Sequence, residues 1–334
     1  MSAPDIKPYW FIRIDRLWRW PRLLFGGLLF LLIFGLLTAI FDIDDSNGAM
    51  RWSVLGQGLF FAFINAYVLT MTAGVIERMQ TALDQLRPEL DLSAEEFERA
   101  RQSVSGAPRR VRIGVALTGL AAGLLHNVLL VYTLNTDQSG SATFVAASAS
   151  TILTWFVMLH CIAALIRNAG LFDELGRARI RIDLLRPAQV EPFGVAAWLP
   201  ATALMGTQIA YPLLSLGGLN LVASLPGFGL TLFSVIYLLI RPMWSVHKHL
   251  REARTALLRS IDTRLTRWRG RTPDHDLADD ALQEVTALLQ FRSQVDALPV
   301  WPFNPALAAR WLFYVVIPPV TWVLAALVEN LVNA

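Results

Sequence analysis

Charge is scarce in this sequence, and lysine is almost missing. Charged residues make up 16% of its 334 positions, against about 25% in ordinary soluble domains. Of 29 basic residues only Lys7 and Lys248 are lysine; the others are arginine. Cysteine occurs once, at Cys161, which excludes an internal disulfide and any metal site built from several thiolates. Walker and dinucleotide-binding motifs, His-Glu-x-x-His and Gly-x-Ser-x-Gly are all absent. With them go the usual signatures of nucleotide hydrolysis, hydride transfer, zinc proteolysis and serine hydrolysis, so the chain is expected not to be an enzyme. What is abundant is apolar surface: 54% of residues are hydrophobic, and the mean hydropathy is +0.46. That composition excludes a disordered chain and fits an all-α polytopic membrane protein.

A helix of about 20 apolar residues crosses the hydrocarbon core. Seven runs qualify: Leu23 to Phe41, Trp52 to Ile76, Ile113 to Leu134, Thr143 to Ile166, Val195 to Leu216, Leu221 to Ile240 and Trp311 to Leu331. The only Asp, Glu, Lys or Arg within them is Glu329, near the end of the seventh. Proton pumping, carboxylate-based sodium coupling and voltage sensing all rely on ionisable groups at mid-membrane, so their absence argues against each. A retinal Schiff base is excluded because no run holds a lysine. Pro200, Pro212 and Pro226, with nearby glycines, make the fifth and sixth runs candidates for a broken or re-entrant segment.

Arginine sets the orientation. Basic residues stay on the cytoplasmic side, and the leader carries Lys7, Arg13, Arg16, Arg19 and Arg22. With the N-terminus inside, every basic residue except Arg51 falls in the cytoplasm, and seven crossings leave the C-terminus external. The expected setting is the cytoplasmic (inner) membrane of a prokaryote, with the lipid bilayer as partner and no nucleic acid. The chain then divides into a cytoplasmic or interfacial leader, 1–22; spans one and two, 23–76; a helical cytoplasmic loop, 77–112; spans three and four, 113–166; a second loop, 167–194; spans five and six, 195–240; a cytoplasmic helical hairpin with a short helix before the last span, 241–310; and span seven, 311–331.

The segments assigned to the cytoplasm read as helical extensions of the spans. The leader alternates aromatics with arginine from Tyr9 to Trp20, a pattern suited to the lipid interface. The second span is expected to run on through Glu77 to Arg87 until Pro88 stops it. Ser93-Ala-Glu-Glu96 is a capping box opening a short helix that ends near Gly106-Ala-Pro108. Leu171, Leu175, Ala178, Ile182 and Leu185 mark one helical face. Val246, Leu250, Ala253, Leu257, Ile261, Leu265 and Trp268 form a seam at spacings of three and four. After a break at Arg269 to Asp274, with Asp276 as a cap, Leu277, Ala281, Val285, Leu288, Val295 and Leu298 form a second seam, so the pair is expected to be an antiparallel hairpin. A proline-aromatic turn, Leu298 to Pro305, leads into the last run, with Asn304 as N-cap. Pro318-Pro319 within that run frees the carbonyls of Tyr314 and Val315, which calls for shielding from lipid by protein or water.

His126 and His160 lie at different depths in adjacent spans, so they do not make one axial pair for a haem; His247 and His249, two apart, point to different faces of a helix. Uncharged polar residues in the spans suit interhelical hydrogen bonds. The alternative is a pocket for a small uncharged or amphiphilic ligand, lined by Gln57, Asn65, His126, Asn127 and Gln208.

Seven spans, an internal N-terminus, an external C-terminus, long cytoplasmic extensions and a short helix before the last span together resemble the seven-transmembrane ion channel superfamily of insect odorant and gustatory receptors. Those receptors carry Thr-Tyr, five apolar residues and Gln near the end of the last span. Here Thr321-Trp322 is followed by Val323 to Leu327 and then Val328-Glu329; Trp replaces Tyr, and the polar residue is displaced by one. The resemblance implies a chemoreceptor-like homotetramer whose last spans surround a cation pore. Tyr314, Pro318, Thr321, Ala325 and Val328 then share the pore face at spacings of three and four, and Glu329 concentrates cations at the outer mouth. The competing expectation is a non-conducting scaffold or signal transducer that binds a partner through its cytoplasmic hairpin.

Overall fold

The computed structural model describes residues 6–17, 21–44, 51–134, 142–178, 180, 184, 186–215, 221–269, 279–298 and 300–301. In chain order the elements are β1 (Ile6–Pro8), α1 (Trp10–Leu17), α2 (Arg22–Asp44), α3 (Arg51–Leu86), α4 (Ala94–Ser105), β2 (Gly106–Pro108), α5 (Arg109–Leu134), α6 (Ala142–Ala178), α7 (Glu191–Gly206), α8 (Pro212–Ser215), α9 (Leu221–Arg269) and α10 (Asp279–Ala297). Apart from one two-stranded pairing and an isolated Leu90 to Ile180 bridge, the described architecture is helical.

Among the described residues six helices are long and apolar enough to cross a membrane: Arg22–Phe41, Leu55–Glu89, Arg109–Val131, Ala142–Arg177, Glu191–Leu214 and Ser224–Trp268. They carry the first six runs read from the sequence; the seventh, Trp311 to Leu331, lies outside the described residues. The helix α3 is the most enclosed, packed by α2, α6 and α7, while α5 lies on α6 and α9 on α6 and α7. Phe41, Ile64, Met79, Leu83, Phe172, Phe193 and Leu238 are fully buried between them. By contrast α2 and α5 expose leucines over most of their surface, as expected where the solvent is lipid.

The fifth run changes helix type along its length, and the sixth is α-helical throughout. After α7 the chain tightens into a 3-10 turn, Thr207–Ala210, before α8. Pro212 has no N–H to give the Gln208 carbonyl, which accepts instead from Tyr211 at 3.3 Å, the shorter three-residue bond of a 3-10 turn. Pro226 and Pro242 leave α9 helical from Leu221 to Arg269.

The extensions follow the sequence closely. The helix α3 runs to Leu86 and gives way at Arg87–Glu89, where Pro88 sits. Ser93 and Glu96 close the capping box from both sides. Buried Val246, Leu250 and Ile261 on α9 and Val295 on α10 lie on the two expected seams. The hairpin is pinned at its edges by Arg254 to Asp296 at 2.6 Å and Arg292 to Asp262 at 2.7 Å. Of the face after the fourth run, α6 extends to Ala178 with Leu175 buried, whereas Ile182 and Leu185 lie outside the described residues, as do Asp276, Leu277 and Asn304.

Part of the leader is folded into the protein, which the pattern suited to the lipid interface did not announce. Ile6, Lys7 and Pro8 pair antiparallel with Pro108, Ala107 and Gly106, and Tyr9, Phe11 and Ile12 are buried in protein. A Cβ on Gly106 would stand 2.5 Å from the Lys7 carbonyl oxygen, so glycine is what allows the two backbones to approach. Strands this short carry no periodicity, which is why the pairing was not legible beforehand.

Candidate functional site

The uncharged polar residues of the spans mostly satisfy one another across helix pairs. On α3, Asn65 donates its amide to Thr154 Oγ1 of α6 at 2.8 Å and to the Phe61 carbonyl one turn back. On α5, Asn127 donates to the Ser148 carbonyl at 3.1 Å, and His126 Nδ1 accepts from the Trp155 indole at 2.6 Å. Asn65, His126 and Asn127 thus all reach α6, from two neighbouring helices, while Gln57 is half-buried on α3. His160 binds the Phe156 carbonyl and meets the Trp10 ring edge-on. His247 donates to the Val300 carbonyl and His249 to that of Gly176, from different faces of α9. Among the described residues no three His, Cys, Asp or Glu side chains converge as a metal-binding set.

Gln208 stands apart. It is 3% exposed on the 3-10 turn packed against α3, and neither its amide nitrogen nor its oxygen has a hydrogen-bond partner. A buried amide left unpaired costs about 1–3 kcal/mol. Next to it, Gly206 lies so close to the Tyr67 hydroxyl of α3 that no Cβ can be added. The pore residues inferred from the resemblance, Tyr314, Pro318, Thr321, Ala325, Val328 and Glu329, lie outside the described residues.

Two further features were not read from the sequence. The first is the close contact of α5 with α6: a Cβ on Gly119 would stand 2.9 Å from Phe156 Cα, and one on Gly123 2.7 Å from Ile152 Cα. Gly119-Leu-Ala-Ala-Gly123 is a Gly-x-x-x-Gly spacing, the signal by which it was findable. The second is a charged node at the basic end of the bundle. Asp173 of α6, 1% exposed, is held by Arg177 at 2.7 Å and by Arg241 of α9 at 2.8 Å. Buried Asn168, one turn earlier, donates to the Val104 carbonyl of α4. These contacts tie α6 to α4 and α9 just beyond the apolar runs. Farther along α9, His247, Arg251, Arg254, Thr255, Leu258 and Val300 line a cleft of about 350 Å³, and His247 stacks on Trp301 with ring centroids 4.0 Å apart.

Comparison with protein-family models, characterised proteins and solved structures finds no match for this chain. The fold therefore defines its class unaided: an all-α protein with multiple apolar helices of membrane-crossing length, tied together by interhelical hydrogen bonds and one buried ion cluster.

Proposed function

We propose that this protein is a subunit of a homotetrameric cation channel of receptor-channel type, seated in a cytoplasmic membrane with the pore on Trp311 to Leu331. The observation that supports it most is the return of the chain along α9. The helix α10 folds back on α9, and Val300 and Trp301 then meet His247, a short distance past the apolar part of α9. This position of Trp301 supports a last apolar run that sets out from the end of the bundle at which α9 leaves it. A seventh, outward crossing requires such a start, and the seven-span topology is what carries the resemblance to receptor channels. Unpaired Gln208 supports a ligand pocket near the 3-10 turn of the fifth run.

Recording from the purified protein in planar bilayers tests this reading. A cation conductance altered by Val328→Ala and Glu329→Gln is expected; silence from wild type and variants alike, across amphiphilic ligands, overturns it. The reading of a non-conducting scaffold is favoured by one observation, the half-exposed Leu282 and Leu289 on the outward surface of α10. Oligomeric state separates the two. Four copies around an axis lined by Tyr314 to Glu329 support the channel, and a monomer supports the scaffold.

A further inference from the structure

At the basic end of the bundle, Tyr9, Arg112 and Arg167 meet with no carboxylate among them. Pairing of β1 with β2 brings Tyr9 against this end, its main-chain N–H bound to the Ser105 carbonyl at 3.1 Å. Since β2 runs directly into α5, the same pairing delivers Arg112 beside the leader, and α6 supplies Arg167 from the other side. Tyr9 is 4% exposed, and its hydroxyl, which lies within reach of the Arg167 guanidinium, has no acceptor for its proton. The Nε atoms of Arg112 and Arg167 are buried and equally unpartnered, and among the described residues neither guanidinium has a carboxylate. Both charges bear on Tyr9: burial pushes its phenol above the ordinary value, while Arg167 and then Arg112 pull it part of the way back.

Arg112 and Arg167 are half-buried, and each holds a buried Nε–H without an acceptor, which is costly. An anion rich in oxygen relieves that cost, because arginine offers paired N–H groups that match phosphate geometry and a phenol adds a third donor. Depth identifies the source. Arg112 immediately precedes the apolar run that begins at Ile113, and Arg167 immediately follows the one that ends at Ile166. The cluster thus lies at the boundary of the hydrocarbon, where lipid phosphates lie. We propose that Tyr9, Arg112 and Arg167 form a binding site for the phosphate of an anionic phospholipid, which clamps the leader to the α5 and α6 pair. The site is independent of whether the chain conducts.

The test follows thermal unfolding of the full purified chain in an uncharged detergent, titrated with phosphatidylglycerol, with diacylglycerol of the same acyl chains, and with inorganic phosphate. Phosphatidylglycerol is expected to raise the midpoint saturably and diacylglycerol to leave it unchanged. Arg112→Gln and Arg167→Gln are each expected to weaken the apparent affinity about tenfold or more. Saturation by inorganic phosphate in a manner sensitive to the same variants supports the site with free phosphate as its ligand. A shift equal for phosphatidylglycerol and diacylglycerol, or one unchanged in both arginine variants, overturns it. Should those variants fail to fold, Tyr9→Phe, which removes one hydroxyl, must still weaken binding several-fold while exposed Arg109→Gln must not; the reverse overturns the proposal as well.

Discussion

Gly123 and Gly114 stand on the same helix in opposite circumstances. A Cβ at Gly123 meets the Ile152 backbone, which cannot turn aside, whereas one at Gly114 meets nothing within 4 Å. Gly123→Ala is therefore expected to force α5 off α6 and cost about 1–3 kcal/mol. Gly114→Ala is expected to be neutral or to stabilise by up to about 1 kcal/mol through helix propensity. Unfolding midpoints of the two variants in detergent check this, and equal midpoints would contradict the close packing. At this scale the sequence was legible where a side chain acts locally: the Ser93 and Glu96 capping box closes as the spacing predicts. It was not legible for Asp173, whose buried carboxylate depends on Arg241 from a helix far along the chain. For Asn65, His126 and Asn127 polarity placed them in the interior of the spans, but only packing chose Thr154, Trp155 and Ser148 as their partners.

Among the elements, the hairpin of α9 and α10 shows which force dominates. Its two Arg to Asp bridges are solvent-exposed and contribute at most about 1 kcal/mol each, less at high salt. Ile261 and Val295 are buried within the seam, and truncating a buried isoleucine to alanine costs about 2–5 kcal/mol. Ile261→Ala with Val295→Ala is therefore expected to release α10 to limited proteolysis, while Asp262→Asn leaves it protected even in high salt. The opposite ranking would mean that charge, not the apolar seam, holds the pair. Both seams were legible because a period of three and four survives in the sequence wherever one face is buried. The β1 to β2 pairing was not, since three residues are too few to show a period. The 3-10 turn at Gln208 was half legible: Pro212 announced that a bond would be missing, but whether the helix tightens there or stays α-helical, as α9 does through Pro226 and Pro242, depends on what packs alongside.

For the whole molecule, the segregation of basic residues makes a directional prediction. Cys161 is fully buried, so background labelling of intact cells by an impermeant maleimide is expected to be low. Ala334→Cys is then expected to label from outside, and Arg271→Cys only after permeabilisation. Labelling of both from the same side would require an even number of crossings and remove the support for a seventh outward span. The same arrangement accounts for the molecule's polar ends: extended α3, α6 and α9 carry their charged residues beyond the apolar runs, and it is there that Asp173, Asn168 and the Tyr9 cluster lie.

The sequence by itself determined the class of this protein, its apolar runs and the helical seams beyond them. Each follows from composition or from a short period, and in lipid a backbone that must satisfy its own hydrogen bonds has few alternatives to helix. Only the tertiary structure decided which helix lies at the centre, which polar groups find partners, and that an aromatic leader is folded into the bundle. Those outcomes depend on the close approach of residues far apart in the chain, at Gly106, Gly119, Gly123 and Gly206 above all, where the absence of a side chain matters only once the neighbouring helix or strand is in place.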